Sequence, residues 1–238
     1  MIRRAAAQFT PSGRYPMPEI SLLIDFLFKK TLGRLRYFKT YAPDIEVIAN
    51  SDLTIRKLLQ EELHHSRGGK RTFLDIGARD TVRSYFAAGF EYYAMDILPQ
   101  AGNVMGGDIC RCPEIADDSF DVVFSAEVFE HLRRPWDAAQ ECVRITKPDG
   151  LIIHRTVFAY RYHPEPVDYW RFSSQCLEYL FTHTGSASTI VKGYDLRGRR
   201  RNRVGVNLDH RAPVDWLGGF RENWQVLWIG RKHSAGEK

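Results

Sequence analysis

The sequence predicts an α/β fold built on a parallel sheet, and three observations carry that reading. Short apolar runs such as Thr72–Ile76 and Asp121–Phe124 are too brief for helices and read as strands covered on both faces. Segments with apolar residues at helical spacing alternate with them, as in 51–65 and 135–145. Parallel neighbours need long crossovers, so strand alternating with helix calls for a parallel sheet.

In chain order, residues 1–18 are basic and then rich in glycine, proline and polar residues, the composition of a flexible lead. Residues 19–39 crowd Ile20, Leu22, Leu23, Ile24, Phe26, Leu27 and Phe28 ahead of Lys29, Lys30, Arg34, Arg36 and Lys39. A helix there would rest on a membrane surface, cap the domain or form a dimer contact, and the cap or dimer contact is favoured because packing is the commoner use. Ser51 is the expected cap of a helix reaching about His65, with Leu53, Ile55, Leu58, Leu59 and Leu63 near helical spacing.

The first strand, 72–76, ends at Gly77, where the backbone can turn sharply and approach a ligand; a helix over 81–88 then closes at Gly89. The second strand, 91–97, brings Asp96 21 residues after Asp75. That is close to the spacing at which a carboxylate at a strand tip accepts hydrogen bonds from ribose hydroxyls; a helix cap or turn is the alternative role. A short third strand over 103–109 contains Gly107-Asp108. The fourth, 118–125, is followed by Ala126-Glu127 and, a few residues on, His131. A helix over 135–145 ends at Lys147-Pro-Asp-Gly150, and the fifth strand covers 151–157. Residues 188–193 and 224–230 read as two late strands.

At 238 residues and 44% hydrophobic content the chain can bury one sizeable core, so one domain with extensions is expected. The net charge of +5 is modest, with much of the excess in the first forty residues and in Arg197–Arg203. Cys110, Cys112, Cys142 and Cys176 lack the paired spacing of a zinc site and read as free thiols. No run is long enough to span a bilayer and no signal-peptide pattern opens the chain, so a cytoplasmic protein is expected, with peripheral membrane contact through 19–39 as the alternative.

Five stretches in order resemble the class I methyltransferases that use S-adenosyl-L-methionine, and within them the type 11 subgroup. They are Phe73–Gly77, Asp96, Asp108-Ile109, Phe120–Leu132 and Arg144–Ile153. The resemblance covers about residues 50–185. It implies a Rossmann-like, mostly parallel seven-stranded sheet of order 3-2-1-4-5-7-6, closed by the two late strands as an antiparallel pair. It places residues 51–238 in the methyltransferase domain, with a basic insertion at about 195–221 and residues 1–50 as an extension. It also implies a cofactor site: Asp75, Gly77, Ala78 and Arg79 in the first turn, Asp96 and Ile97 at the ribose, Asp108 and Ile109 beside the adenine, and Ser125, Ala126 and Glu127 after the fourth strand. The sequence departs from the family at Arg79, which takes the place of a glycine. Its side chain would point away, contact the cofactor's carboxylate, or block the pocket; the last would make a non-catalytic binding protein.

The loop Tyr160–Phe172 follows the fifth strand, and its segment His163–Phe172 resembles a variant of type 11 enzymes associated with glycan biosynthesis. Its rings and ions suit a sugar acceptor, with Tyr160, Tyr162, Tyr169 and Arg171 as contacts. His163 is the expected base, since imidazole titrates near neutrality; Asp168 would orient it, bind a hydroxyl, or merely pair with Arg171. His131 is the rival base. Trp170 and Phe172 read as core. The acids and histidines show no diagnostic metal spacing, so no metal ligand is assigned and a metal requirement stays open. The arginine cluster at 197–203 would serve RNA phosphates, but no RNA-binding module or interleaved aromatic platform accompanies it.

Overall fold

A computed structural model describes residues 46–64, 69–79, 86–160, 162–195 and 224–234. The apolar segment 19–39, the body of the helix expected at 81–88 and the arginine cluster 197–203 lie outside the described residues. The elements are β1 (Val47–Ile48), α1 (Ser51–His64), β2 (Thr72–Ile76), β3 (Glu91–Asp96), β4 (Val104–Gly106), β5 (Phe120–Ala126), α2 (Pro135–Ile145), β6 (Thr146–Ala159), α3 (Ser174–Thr182), β7 (Ala187–Asp195) and β8 (Trp224–Lys232).

The strands form one sheet of order β1-β7-β8-β6-β5-β2-β3-β4. β2 runs parallel to β3 and β5, β3 to β4, and β5 to β6, while β8 lies antiparallel between β6 and β7. This is the expected Rossmann-like arrangement, with one correction: among the described residues the sheet has eight strands. Val47–Ile48 adds a parallel edge beside β7. Two residues are too few to show a strand period in the sequence.

Two local expectations also change. Asn50 caps α1 in place of Ser51: its Oδ1 accepts the Leu53 N–H at 3.1 Å, and its carbonyl accepts the Thr54 N–H at 3.1 Å. Ser51 gives both its N–H, at 2.9 Å, and its hydroxyl, at 2.7 Å, to the buried Asp195 carboxylate at the end of β7. Both residue types cap helices well, and the buried acid's need for donors decides between them. Further on, Lys147–Gly150 is part of β6 and not only a connection. The strand starts at Thr146, takes a register shift against β5 and holds Asp149 at φ 61°, while Lys147 Nζ reaches Asp121 at 2.7 Å. By contrast, α2 has the expected bounds with Pro135 in its first turn, and Ser173 caps α3 by accepting the Cys176 N–H.

Alternating side chains put two apolar layers on the sheet. Ile55 and Leu59 of α1 pack into one cluster with Phe73, Phe124, Leu151 and Leu227. On the other face the neighbouring Trp228 stacks on Phe181 of α3, with ring centroids 4.4 Å apart and planes 5° from parallel. Each such fully buried side chain contributes roughly 1.5–3 kcal/mol. The covered sheet thereby holds the carboxyl ends of β2 to β6 in fixed register. All four cysteines are unbridged, and no described helix is long and apolar enough to cross a membrane.

Candidate active site

A cavity of about 1280 Å³ opens at the carboxyl ends of the parallel strands, the edge where ligands of open α/β sheets gather. Gly77 and Arg79 after β2, Asp96 and Ile97 after β3, and Asp108 and Ile109 after β4 line one part. Glu127 and His131 after β5, with His163 and Tyr169 from the loop after β6, line another. The remaining expected residues stand elsewhere. Asp75 is buried in β2 and accepts the Tyr92 hydroxyl at 2.9 Å. Ala78 and Ala126 are buried, and Ser125 is hydrogen-bonded to the buried His154 at 2.6 Å. Asp168, Tyr160, Tyr162 and Arg171 are not in the cavity wall.

The first turn explains its own residues. Gly77 has φ 79°, and a Cβ there would clash with Val128 Cγ2. Glycine is therefore required by the turn and by the loop after β5 packing on it, before any ligand is considered. Its N–H donates to Met95 at 2.7 Å, tying the turn to β3. Arg79 holds φ 30°, which a side chain rarely adopts. Its N–H donates to Asp96 Oδ2 at 3.1 Å, and the Leu98 N–H donates to Oδ1 at 2.8 Å. Asp96 is thus a carboxylate fixed by two backbone donors, and each oxygen keeps a second acceptor position. Arg79's guanidinium reaches Glu165 at 3.4 Å, in the loop after β6.

At the other end, the Asp168 carboxylate lies between Arg171 and His163. The side chain is 1% exposed, and it binds the Arg171 guanidinium with both oxygens, at 2.5 and 2.7 Å. Burial opposes its ionisation, yet Arg171 and the His163 N–H hold its carboxyl down at about 2. Oδ2 also lies 3.1 Å from His163 Nδ1. His163 stands edge-on to His131, centroids 4.9 Å apart, and to Tyr160 at 4.7 Å. His131 Nδ1 donates to the Val167 carbonyl at 2.7 Å, because a carbonyl can only accept. Arg171 serves Asp168 and the Tyr160 carbonyl, and Tyr162 is 66% exposed, away from the wall.

Phe172 is core as expected, but Trp170 is not. It is 37% exposed, donates Nε1–H to the Leu132 carbonyl at 2.8 Å and meets Trp136 edge-on at 6.0 Å. Trp136, in the first turn of α2, is 43% exposed and lines the cavity. Glu165, Pro166 and Val167 also line it. Nothing in their spacing marks them, since the chain reaches the cavity there through loop conformation. Two other groups drop out as chemistry. Burial pushes the Cys110 thiol up to about 11 and holds His154 down at about 3, leaving one protonated and the other neutral.

A methyltransferase domain family matches residues 74–154. Uncharacterized methyltransferases of Mycobacterium bovis and Mycobacterium tuberculosis are 29% identical over 150 residues, 56% of this chain and 55% of theirs. One from Mycobacterium avium is 34% identical over 106 residues, 38% of this chain and 41% of its own. The chain therefore spans about half the length of the curated relatives it matches. Among solved structures, a Haemonchus contortus phosphoethanolamine N-methyltransferase in complex with S-adenosyl-L-methionine superposes with a TM-score of 0.51 at 15% identity, over 76% of this chain and 53% of that one. The cyclase SpnF superposes with 0.53 at 13% identity, over 76% and 82%. These structures define the class I methyltransferase fold, which also carries other chemistry.

S-adenosyl-L-methionine is the cofactor of a methyltransferase domain on this fold, and the residues present fit it. Asp96 has acceptor capacity left for the ribose hydroxyls. Ile97, 62% exposed, offers an apolar surface at the cavity wall beside it.

Proposed function

We propose that the protein transfers the methyl group of S-adenosyl-L-methionine to a hydroxyl of a sugar or related small molecule. The observation that carries this reading is one cavity holding a carboxylate array at one end and a histidine pair at the other. Its volume exceeds the 300–1,000 Å³ of an ordinary single-ligand pocket, so cofactor and acceptor can share it.

In this reading Asp96 accepts the ribose hydroxyls, Ile97 and Ile109 flank the adenine, and Asp108 faces its edge. The bound cofactor supplies a methyl group already activated by its sulfonium. The chain's own work is to align the acceptor and take its proton. Alignment can contribute on the order of 7–11 kcal/mol in favourable cases. His163 Nε2 takes the hydroxyl proton, a role worth roughly 100-fold to 10,000-fold. Asp168, held by Arg171, fixes the His163 ring through Nδ1. His131 is the neighbouring ring that can substitute. Trp136 and Tyr169 present apolar faces to the acceptor, which suits a sugar ring. Glycan acceptance rests on these faces and on the loop's resemblance to glycan-associated enzymes.

The test is incubation with methyl-tritiated S-adenosyl-L-methionine against a panel of free and nucleotide-linked sugars and, separately, total RNA. Label is expected in a sugar product and not in RNA. Label in RNA alone would transfer the function to the arginine cluster at 197–203. Absence of label everywhere, with cofactor binding intact, would favour a binding protein.

A further inference from the structure

We propose that Glu130, His131 and His163 bind one divalent transition-metal ion at the acceptor end of the cavity. Each can offer one ligand atom, and the three atoms lie within 4.8 Å of one another. Bonds of about 2.0–2.2 Å would bring such ligands to roughly 3.0–3.5 Å apart, so rotations moving the atoms by on the order of 1 Å close the site. Two imidazoles and a carboxylate are a donor set for Zn²⁺ and its transition-metal neighbours, with a position left open for a further ligand.

The second observation is Glu130 itself. Its side chain is fully buried, and Oε2 accepts the Thr156 hydroxyl at 2.6 Å. Its carbonyl accepts the Tyr169 and Trp170 N–H groups, at 2.8 and 3.2 Å, which fixes the residue. Oε1 is buried with no hydrogen-bond partner, and faces His163 Nε2 at 3.9 Å, beyond hydrogen-bond reach. A buried carboxylate oxygen left so is costly, and a cation between it and the imidazoles would offset that cost.

The outer contacts of both rings match those of metal ligands, which typically give their other ring N–H to a carbonyl or carboxylate. His131 gives Nδ1–H to Val167, and His163 Nδ1 lies against Asp168. With Nδ1 engaged in each ring, coordination would fall to Nε2, and His163 Nε2 is the nitrogen on the Glu130 side. An ion would engage His163 Nε2, so the base role assigned above describes the ion-free protein. Metal binding itself does not depend on methyl transfer.

The test titrates the full chain, first stripped with a chelator, with Co²⁺ followed by visible absorption and with Zn²⁺ by calorimetry. One equivalent is expected, with Zn²⁺ displacing Co²⁺. His131→Ala and His163→Ala should each weaken binding by about 100-fold or more, and Asp168→Asn by roughly 10-fold to 100-fold. His233→Ala, at a remote surface histidine, should not. Glu130→Gln is a further ligand variant, but His131→Ala, at a half-exposed position, keeps the test valid if that buried change impairs folding. Lack of saturable Co²⁺ binding, or affinity in His131→Ala and His163→Ala unchanged from that of the parent chain, would overturn the site. S-adenosylhomocysteine titrated into the same samples separates the readings: its binding without metal binding overturns the metal site alone, and the converse overturns only the cofactor reading.

Discussion

The guanidinium of Arg79 lies 3.4 Å from the carboxylate of Glu165, so the turn after β2 and the loop after β6 meet through their side chains at the cavity wall. Arg79 replaces a glycine of the resembled family, and its two halves do different things. The backbone serves Asp96; the side chain serves the acceptor loop.

Arg79→Gly therefore separates the two. It keeps the N–H to Asp96 and removes an ion pair whose side chains are 37% and 63% exposed, worth about 1 kcal/mol or less. The expected loss of S-adenosylhomocysteine affinity is less than about 10-fold by calorimetry. Asp96→Ala removes a charged acceptor and should cost about 1.5–3 kcal/mol, roughly 10-fold to 150-fold, in the same assay.

Gly77→Ala should destabilise the protein by about 1–3 kcal/mol, read from the urea midpoint, because φ 79° is unfavourable for alanine. The added Cβ also meets Val128, so Val128→Ala should recover part of the loss and leave the dihedral cost. Full recovery would mean that packing alone requires the glycine.

Glu141 gives an acid-stability prediction. The Arg144 guanidinium, 2.8 and 2.9 Å away, holds its carboxyl down at about 2 against an ordinary 4.5, with burial opposing. The folded value is the lower one, so the stabilisation is complete above about 4.5 and is lost as pH falls towards 2. Urea midpoints taken between pH 6 and pH 3 should fall less steeply in Glu141→Gln than in the parent.

His163→Ala should leave S-adenosylhomocysteine affinity within about twofold and lower turnover by roughly 100-fold to 10,000-fold. Unchanged turnover would move the proton-accepting role to His131 or remove it.

The strands of the central sheet were legible because burial on both faces leaves short apolar runs, Asp96 because it ends such a run, and Asp108 because it follows one at the ligand edge. β1 was not legible, since two residues carry no period, and Asn50 beside Ser51 offers two equivalent caps until Asp195 claims one. At the site, sequence order put His131 and His163 on different loops. Their meeting, and Glu130 behind them, depends on the loop after β6 folding back so that Tyr169 and Trp170 bond the Glu130 carbonyl. Trp170 departs from its expected place for the same reason: its apolarity fits a core, and only the fold shows it 37% exposed.

The central claim is that the carboxyl ends of β2, β3 and β4 bind the nucleoside of S-adenosyl-L-methionine. Calorimetric titration of the full chain with S-adenosylhomocysteine tests it most directly. The account predicts saturable binding of one equivalent, weakened in Asp96→Ala and preserved in His163→Ala. No heat of binding with either S-adenosylhomocysteine or S-adenosyl-L-methionine, in a folded sample, would contradict it.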